Sequence, residues 1–320
     1  MMGEFDLIER YFTRPARHAV LGVGDDCALL APTSGMQLAL STDMLVEGRH
    51  FLSTVNPVHL GHKALAVNLS DLAACGARPR AFLLSLALPR IDEFWLAGFA
   101  QGLWSLADAF GCDLIGGDTT QGPLNISITV IGETPQGQAL LRSGAQVGDD
   151  IYVSGHVGDA RVALEVFRGS LSVPSSVFNA ARIRMEQPTP RVALGLALRG
   201  IATAAADISD GLWGDLSHIL KASQVGATLD ATQTLTLLAC AAEFELPQSK
   251  HLQFVLTGGD DYELVFTAPA SKRAEVHAAG LNALTRLTRI GQICAESGLT
   301  LLDTDGKTMT HDFVSFDHFA

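Results

Sequence analysis

Cysteine is scarce in this chain, and the few cysteines are not arranged as metal ligands or disulfide partners. The 320 residues include five cysteines, which are widely spaced and form no CxxC pair. This pattern disfavours a zinc site and a disulfide framework, and it is typical of free thiols in a reducing compartment. The ten histidines are scattered along the sequence, and we expect most of them at the surface.

Positive charge is also in short supply. Lys and Arg number 22 against 34 Asp and Glu, which gives a net charge of −12. A nucleic-acid surface normally needs clustered basic residues, and the sequence contains no such cluster. We therefore expect no nucleic-acid partner, and the acids either solvate the surface or gather around cations.

Long apolar runs are missing as well. No stretch of the sequence approaches the roughly 18 apolar residues of a membrane span. The amphipathic, acidic N-terminus "MMGEFDLIERYF" lacks the basic start and apolar core of a signal peptide. The sequence therefore predicts a cytoplasmic protein with no membrane partner.

The common nucleotide-binding motifs are absent too. The segment "GVGDD" (22–26) lacks the third glycine of a dinucleotide-binding turn, and there is no GxxxxGK[ST] phosphate loop. The protein-kinase motif set and the Gly-x-Ser-x-Gly elbow do not occur either. If ATP binds, it does so in another way, and a side-chain nucleophile has little support.

What the chain does contain is an alternation of strand-like and helix-like segments. Hydrophobic residues make up 48% and charged residues 18%, as in well-packed globular proteins. The length allows two domains, and the composition changes near 135–150. We expect a two-domain α/β protein of the α+β type. The sequence predicts strands over 36–43, 81–89 and 125–134, helices over 57–75 and 92–111, a strand leading into a helix over 203–223, and a β-hairpin over 252–269.

Aspartates beside glycine turns and at strand ends are the strongest chemical signal. Glycine next to an acid lets the backbone approach a ligand closely. Carboxylates without His or Cys neighbours favour Mg²⁺ or Mn²⁺, and magnesium usually keeps water and phosphate oxygens as further ligands. The pattern therefore indicates magnesium with a nucleoside triphosphate; the acids are Asp25, Asp26, Asp43, Asp118, Asp207, Asp210, Asp260 and Asp261, with Asp71 on a predicted helix.

Each acidic signal has a plainer alternative. The tripeptide Gly-Asp-Asp occurs three times, and we interpret 148–150 as an ordinary turn in which Asp149→Asn is nearly silent. At 24–26 we favour a metal site, because "CALL" follows at once and turn acids seldom lead straight into buried sequence. The acids of "DISDG" (207–211) either cap the following helix or hold a phosphate and its magnesium. The sequence by itself leaves both of these possibilities open.

Six blocks occur in order along the chain: "GVGDDCALL", "STDMLVEGRHF", "KALAVNLSDLAACGARP", "GGDTTQGP", "DISDGL" and "GGDDYEL". Together they closely resemble the thiamine-monophosphate kinase family of the aminoimidazole ribonucleotide synthetase superfamily. The match runs from "GEFDLIERYF" to "FDHF", which is essentially the whole chain. The resemblance implies a PurM-like architecture, with an N-terminal domain over 1–145 and a C-terminal domain over 146–320. It also implies that ATP and magnesium lie in a cleft, and that a homodimer forms through the N-terminal sheet.

The resemblance further implies an activity and a set of site residues. Thiamine monophosphate and ATP become thiamine diphosphate and ADP, the last step of thiamine diphosphate biosynthesis, with several Mg²⁺ ions. By position, the magnesium ligands are Asp26, Ser41, Thr42, Asp43, Asp71, Asp118, Asp207 and Asp210. The nucleotide contacts are Gly117, Asp118, Arg142 and Ser209, and the thiamine contacts are His50, Asp260 and Phe316.

Two of these positions depart from the family pattern. The family usually has Gly-Gly-Glu-Asp-Tyr-Glu where this chain has "GGDDYE", so Asp260 keeps the charge on a shorter side chain. Phe316 stands where relatives carry another aromatic residue, which preserves stacking but loses any hydroxyl group.

The chemistry of this reaction requires no covalent catalytic residue. The acceptor is already a phosphate, and its oxygen is a competent nucleophile near neutral pH. Magnesium neutralises and aligns the two anionic substrates, so we expect direct in-line transfer. Two alternatives are a sister ATP-dependent synthetase of the same superfamily with another substrate, and a magnesium- or nucleotide-binding regulatory protein without turnover.

Overall fold

The computed structural model describes residues 3–310 and 313, and it divides the chain into two units. The first unit contains the described chain up to Leu72 together with Ala77–Gly137, and the second contains Ala73–Gly76 and the chain from Gln138 onward. The domain boundary expected at 145/146 lies later in the chain than this division, and it stays a prediction.

The first unit is built on a four-stranded sheet with the spatial order β3-β6-β4-β5. Strands β4 and β5 are parallel and the other neighbours are antiparallel, while β1 and β2 pair separately. The elements in chain order are α1 (Glu4–Leu7) with a π-helical turn (Ile8–Phe12), β1 (Ala19–Leu21), β2 (Leu29–Leu30), β3 (Met36–Val46), α2 (Pro57–Ala74), β4 (Arg78–Leu88), α3 (Glu93–Phe110), β5 (Asp113–Gln121) and β6 (Asn125–Pro135).

One face of this sheet is buried and the other is open. In β6, Ile126, Ile128 and Val130 are buried, whereas Ser127 and Thr129 between them are half-buried. This alternation is typical of a sheet that packs on one face only. Helix α2 lies on the buried face, where its residues Asn68 and Asp71 accept hydrogen bonds from Asp43 and Ser41 of β3.

The second unit contains a six-stranded sheet with the order β12-β9-β11-β7-β10-β8, in which only β12 and β9 are parallel. Strands β7, β10 and β8, which are neighbours at one side of this sheet, are buried along their whole length. The elements are β7 (Asp150–Ser154), α4 (Asp159–Phe167), α5 (Ser175–Glu186), α6 (Val192–Leu198), β8 (Ala204–Ile208), α7 (Leu212–Ser223), β9 (Gly226–Asp230), α8 (Ala231–Leu235), α9 (Gln248–Thr257), β10 (Glu263–Ala268), α10 (Arg273–Asn282), β11 (Leu287–Cys294) and β12 (Gly298–Leu302), with 3₁₀ turns at Ala239–Ala242 and Ala270–Lys272.

Most of the predicted elements are confirmed. The expected two-domain α/β architecture is present, and the strands and helices predicted in the first unit correspond to β3, α2, β4, α3 and β6. Helix α3 begins and ends as its sequence indicates, because the Asp92 carboxylate accepts the N–H groups of Phe94 and Trp95, and Gly111 ends it in a left-handed conformation. The segment 203–223 is indeed a strand followed by a helix.

The hairpin predicted over 252–269 is wrong. Its first half belongs to helix α9, which begins at Gln248 directly after Pro247, and only its second half is a strand, β10. A short apolar run such as "LQFVL" does not distinguish a strand from a buried helical turn. Proline before the first helical turn was the signal that decides this case.

The turn at 148–150 is present, but its two acids are buried, unlike those of an ordinary surface turn. Gly148 has a φ of +93°, and Asp149 and Asp150 are both buried. One oxygen of Asp149 accepts the N–H of Gln146 at 2.9 Å and the Thr203 hydroxyl at 2.6 Å. Asparagine would keep an oxygen that can accept these two hydrogen bonds. The expectation that Asp149→Asn has almost no effect stays a prediction.

None of the helices among residues 3–310 combines the length with the apolar character that a bilayer-spanning segment requires.

Candidate active site

The structure brings together three of the predicted magnesium ligands between β3 and α2. Ser41 and Asp43 are two residues apart in β3, so both lie on the buried face of the sheet. There the Ser41 hydroxyl donates to the Asp71 carboxylate. The backbone N–H of Asp43 donates to Asn68 Oδ1 at 3.1 Å, one helical turn before Asp71. Strand and helix thus present one alcohol and two carboxylates side by side, all of them half-buried.

Two other predicted ligands of the first unit lie on the opposite, open face. The Thr42 hydroxyl is 3.0 Å from that of Thr129 on β6. Strand pairing places Asp118 beside Ser85, and Ser85 beside Ser127, which shares its face with Thr129. Asp118 is on β5 and Thr42 on β3, at the two edges of the sheet. Within one chain the structure therefore does not unite Thr42 and Asp118 with Asp43.

Gly117 is required by the backbone geometry before Asp118. Its φ is +147°, and a Cβ atom built there would lie 1.8 Å from the carbonyl oxygen of Leu84. Side-chain-bearing residues cannot occupy that position without moving β4. Gly117 is exposed, so a ligand can approach its backbone directly.

The Gly-Asp-Asp segment at 24–26 forms an exposed turn. The Asp25 carboxylate accepts the backbone N–H of Asp26 at 2.8 Å. The expectation that "CALL" continues into buried sequence is wrong, because Cys27 is exposed and Leu29 on β2 is 53% exposed. The short sheet of β1 and β2 leaves these apolar side chains outside the core of the unit. Asp26 is accessible, although burial of the following residues is no longer an argument for metal binding there.

His50 lies in the turn that follows β3. Its Nδ1 accepts the backbone N–H of Val46 at 3.0 Å, so the neutral ring carries its proton on Nε2. The Lys63 ammonium, buried beneath this turn, donates to the carbonyl oxygen of His50 at 3.2 Å. Sequence reasoning missed Lys63, and the available signal was a single lysine in the apolar helix α2.

In the second unit, the segment "DISD" joins β8 to α7. Asp207 is buried in the sheet, and Ser209 and Asp210 are half-buried. Gly211 is the N-cap of α7, and no side chain caps that helix, so the capping alternative for these acids is wrong. Instead, Asp215 Oδ2 accepts the N–H groups of Ser209 at 3.0 Å and Asp210 at 3.1 Å.

Asp215 has an unusual electrostatic environment. Burial, together with the charge of Asp210, raises the pKa of Asp215 to about 7, against the opposing effects of the two N–H bonds and of Arg142. The positive charge of Arg142 acts on Asp215 in the direction that lowers its pKa. Asp215 was missed because a lone acid in a first helical turn is usually a helix-stabilising residue.

The "GGDD" loop lies directly against "DISD". The Asp260 N–H donates to the carbonyl oxygen of Ser209 at 2.7 Å, and the Tyr262 N–H donates to that of Ile208 at 2.8 Å. Gly259 has a φ of +68°, and a Cβ there would lie 2.7 Å from the Ser209 oxygen. Asp260 itself has a φ of +64°. The backbone of this loop is thus held in a strained form that keeps Asp260 beside Ser209.

Asp261, the next residue, has a structural contact. Its Oδ1 accepts the N–H of Gly158, before α4, at 2.9 Å. Burial raises the pKa of its carboxyl group well above the usual value. We therefore do not count Asp261 among the ligand-binding acids.

Comparison with known proteins identifies the family. The model of the AIR synthase related protein N-terminal domain matches residues 24–134, and that of the C-terminal domain matches 146–303. The thiamine-monophosphate kinase of Escherichia coli K12 is 44% identical over 323 residues, covering 99% of this chain and 98% of that protein. The chain belongs to the thiamine-monophosphate kinase family.

Solved structures agree with this family assignment. The thiamine-monophosphate kinase of Stenotrophomonas maltophilia is 43% identical with a TM-score of 0.84, covering 92% of this chain and 93% of that one. AaThiL complexed with AMPPCP and TMP is 29% identical with a TM-score of 0.76, covering 90% of this chain and 89% of that one. The resemblance to the thiamine-monophosphate kinase family, read from six sequence blocks, is confirmed.

The site residues themselves are only partly gathered. Among residues 3–310 and 313, no three His, Cys, Asp or Glu side chains converge closely enough to hold a metal ion by themselves. Ser41, Asp43 and Asp71 form one group, and Ser209, Asp210 and Asp260 form another within the second unit, while Arg142 lies in a loop bonded to Ser223 at the end of α7. The expected thiamine contact Phe316 lies outside the described residues.

Proposed function

We propose that this chain transfers the terminal phosphoryl group of ATP to the phosphate of thiamine monophosphate, forming thiamine diphosphate and ADP. The observation that carries this proposal is the full-length similarity to thiamine-monophosphate kinases, 44% identical over 99% of the chain. A structural neighbour was solved with AMPPCP, an ATP analogue, and TMP. The reaction breaks the bond between the terminal phosphorus and the ADP oxygen and forms one to the acceptor phosphate oxygen.

Magnesium fits the donors that the chain offers. The proposed ligands supply carboxylate and alcohol oxygens, without imidazole or thiolate groups, and such a set suits a hard cation. Magnesium usually takes one or two carboxylates and fills its other positions with water and substrate phosphates, so the donors need no three-acid cluster. When bound, it neutralises and aligns the phosphates. The residues that would hold it are Asp26, Ser41, Thr42, Asp43, Asp71, Asp118, Asp207 and Asp210.

The nucleotide would contact residues from glycine turns and from the Arg142 loop. Gly117 leaves its backbone accessible beside Asp118. Arg142 is exposed and carries its charge close to Asp215, and a guanidinium group binds phosphate oxygens with good geometry. Ser209 would add a hydroxyl group from the turn that precedes α7.

The thiamine substrate would contact His50, Asp260 and Phe316. His50 Nδ1 accepts the Val46 N–H, so the proton of the neutral ring is on Nε2. The Asp260 carboxylate is suited to the positive charge of a thiazolium ring. Because the acceptor oxygen is itself the nucleophile, the chain needs no covalent intermediate, and the transfer is direct.

We also propose a cytoplasmic homodimer formed through the first unit. Strand β3 is an edge strand, and its open face exposes 63% of Leu40 and 54% of Met44. Exposed apolar edge strands are uncommon in proteins that act as monomers. A second copy of the chain is the partner that the proposal requires.

Incubation of the chain with ATP, MgCl₂ and thiamine monophosphate tests the proposed reaction. We expect thiamine diphosphate and ADP in equal amounts, resolved by chromatography. ATP binding without turnover of any thiamine ester would support the regulatory alternative, whereas ATP hydrolysis coupled to another substrate would support a sister synthetase.

A further inference from the structure

Helix α7 contacts both loops of the second unit that carry proposed nucleotide residues, one at each end. Near its first turn, Asp215 Oδ2 accepts the N–H groups of Ser209 and Asp210, at 3.0 and 3.1 Å. Asp215 is only 4% exposed, so water cannot replace this acceptor easily. The turn that contains Ser209 and Asp210 is therefore fixed to the helix through one oxygen atom.

The last residue of α7 holds the other loop. The Ser223 hydroxyl oxygen accepts the N–H groups of Gly144 and Ala145, both at 3.1 Å. The same hydroxyl group donates to the carbonyl oxygen of Arg142 at 3.2 Å. One side chain thus makes three hydrogen bonds to the loop that begins at Arg142, about 80 residues earlier in the sequence.

The helix between these contacts is a suitable rigid spacer. Asp215 and Ser223 are separated by two helical turns of α7, which corresponds to about 12 Å at the usual rise of an α-helix. The inner face of α7 is anchored in the core of the second unit, where Leu212, Leu216 and Ile219 are completely buried. A loop fixed to either end therefore has a defined position relative to the other.

We propose that Asp215 and Ser223 are positioning residues of the ATP site, through which α7 sets the relative placement of Ser209, Asp210 and Arg142. This inference rests on the proposed function, in which those three residues bind the nucleotide and its metal. Neither residue is among the proposed nucleotide contacts, and in this proposal each acts through the backbone of a loop.

The hydrogen bonds distinguish this role from ordinary helix stabilisation. Asp215 accepts N–H groups that precede α7, rather than the unpaired N–H groups of the helix itself. Ser223 bonds a distant loop, whereas Ser217 on the same helix donates to the carbonyl oxygen of Trp213 within it, at 2.6 Å. Ser217 is therefore a matched control for the loss of a hydroxyl group from α7.

The variants Asp215→Ala, Asp215→Asn, Ser223→Ala and Ser217→Ala test the proposal. ATP affinity in MgCl₂ is measured by calorimetry, and KM and kcat are measured with thiamine monophosphate. For Asp215→Ala we expect about tenfold weaker ATP binding, since a buried pair of N–H groups loses its acceptor. Asp215→Asn keeps an oxygen for both N–H groups and should bind ATP within about twofold of the wild type.

Ser223→Ala should raise KM for ATP about threefold at nearly unchanged kcat, and Ser217→Ala should match the wild type. Two results would overturn the inference: Asp215→Asn as impaired as Asp215→Ala, or Ser223→Ala indistinguishable from Ser217→Ala. If Asp215→Ala does not fold, the comparison of the two serine variants decides. A wild type that binds ATP without forming thiamine diphosphate contradicts the proposed function alone, because the affinities still report on α7.

Discussion

At the scale of single residues, Asp260 connects a strained backbone with a proposed substrate contact. Its φ of +64° lies in the left-handed region, which costs an ordinary side chain about 1–3 kcal/mol. Aspartate and asparagine tolerate this region better than most residues. Aspartate has a shorter side chain than the glutamate usual in the family, so its carboxylate reaches less far. It nevertheless suits the left-handed backbone conformation that the contact with Ser209 imposes.

Two substitutions of Asp260 separate these roles. Asp260→Asn keeps the backbone preference and removes the charge, so KM for thiamine monophosphate should rise about tenfold while Tm and KM for ATP stay unchanged. Asp260→Val should lower Tm as well, because a β-branched residue is disfavoured at positive φ. Steady-state kinetics and thermal unfolding measure both effects. An unchanged KM in the asparagine variant would exclude a charged substrate contact at this position.

Asp43 tests the proposed magnesium ligands. Asp43→Asn should lower kcat at least 100-fold, in the range expected when an electrostatic contribution to phosphoryl transfer is lost, and leave Tm unchanged. The fold should persist because the backbone N–H of residue 43 still reaches Asn68 Oδ1. Asp108→Asn is the control, since Asp108 is an exposed acid that pairs with Arg14 on the surface. Near-normal turnover by the Asp43 variant would show that this carboxylate is not a ligand.

At the scale of secondary-structure elements, the predictions succeeded where a segment carried its own end signals. Helix α3 has a capping aspartate before it and a glycine after it, and its bounds match the prediction within a residue. Helix α9 and strand β10 flank the loop around Asp260. The pattern of apolar residues before that loop predicts a strand, whereas the structure has helix α9 there. The loop required positive φ at three nearby residues, which pattern alone does not reveal.

The start of strand β7 provides a prediction about stability and pH. Hydrogen bonds from Arg273 hold the pKa of the buried Asp150 below its usual value, against the effect of burial, and Arg289 contributes in the same direction. A lowered folded-state pKa means that the stabilisation is present above the unfolded pKa of about 3.9 and is lost as pH falls through the folded value.

Asp150→Asn should therefore lower Tm by about 3 °C at pH 7, and the difference from the wild type should shrink as the pH falls below about 4. Thermal unfolding at a series of pH values measures this. A Tm difference that stays constant down to pH 3 would mean that the charge of Asp150 does not contribute.

At the scale of the whole molecule, the two-domain fold and the family were predictable from the sequence, whereas the positions of the site residues relative to one another were not. Carboxylates next to glycine are visible in the sequence, and six ordered blocks indicate the family. The contacts of Asp215, Ser223 and Lys63 are not visible, because each joins a side chain to backbone atoms whose position depends on the tertiary fold. The division of Thr42 from Asp43 follows from strand alternation, but it becomes evident only when the buried face is known.

The proposed dimer predicts an effect of a charge on the open face of β3. Leu40→Asp should convert the chain from dimer to monomer in sedimentation experiments at micromolar concentration, because it places a carboxylate in an apolar interface. Asp108→Asn again serves as a control on the outer surface. A wild type that sediments as a monomer would contradict the proposal directly.

The central claim, that the chain is a kinase whose acceptor is a phosphate, is tested most directly by comparing thiamine monophosphate and thiamine as acceptors. Both are incubated with the chain, ATP and MgCl₂, with and without EDTA, and kcat/KM is determined from the thiamine phosphates formed. We predict thiamine diphosphate from the monophosphate, no phosphorylation of thiamine and complete loss of activity in EDTA. Phosphorylation of free thiamine at a comparable kcat/KM, or turnover that persists in EDTA, would contradict the account.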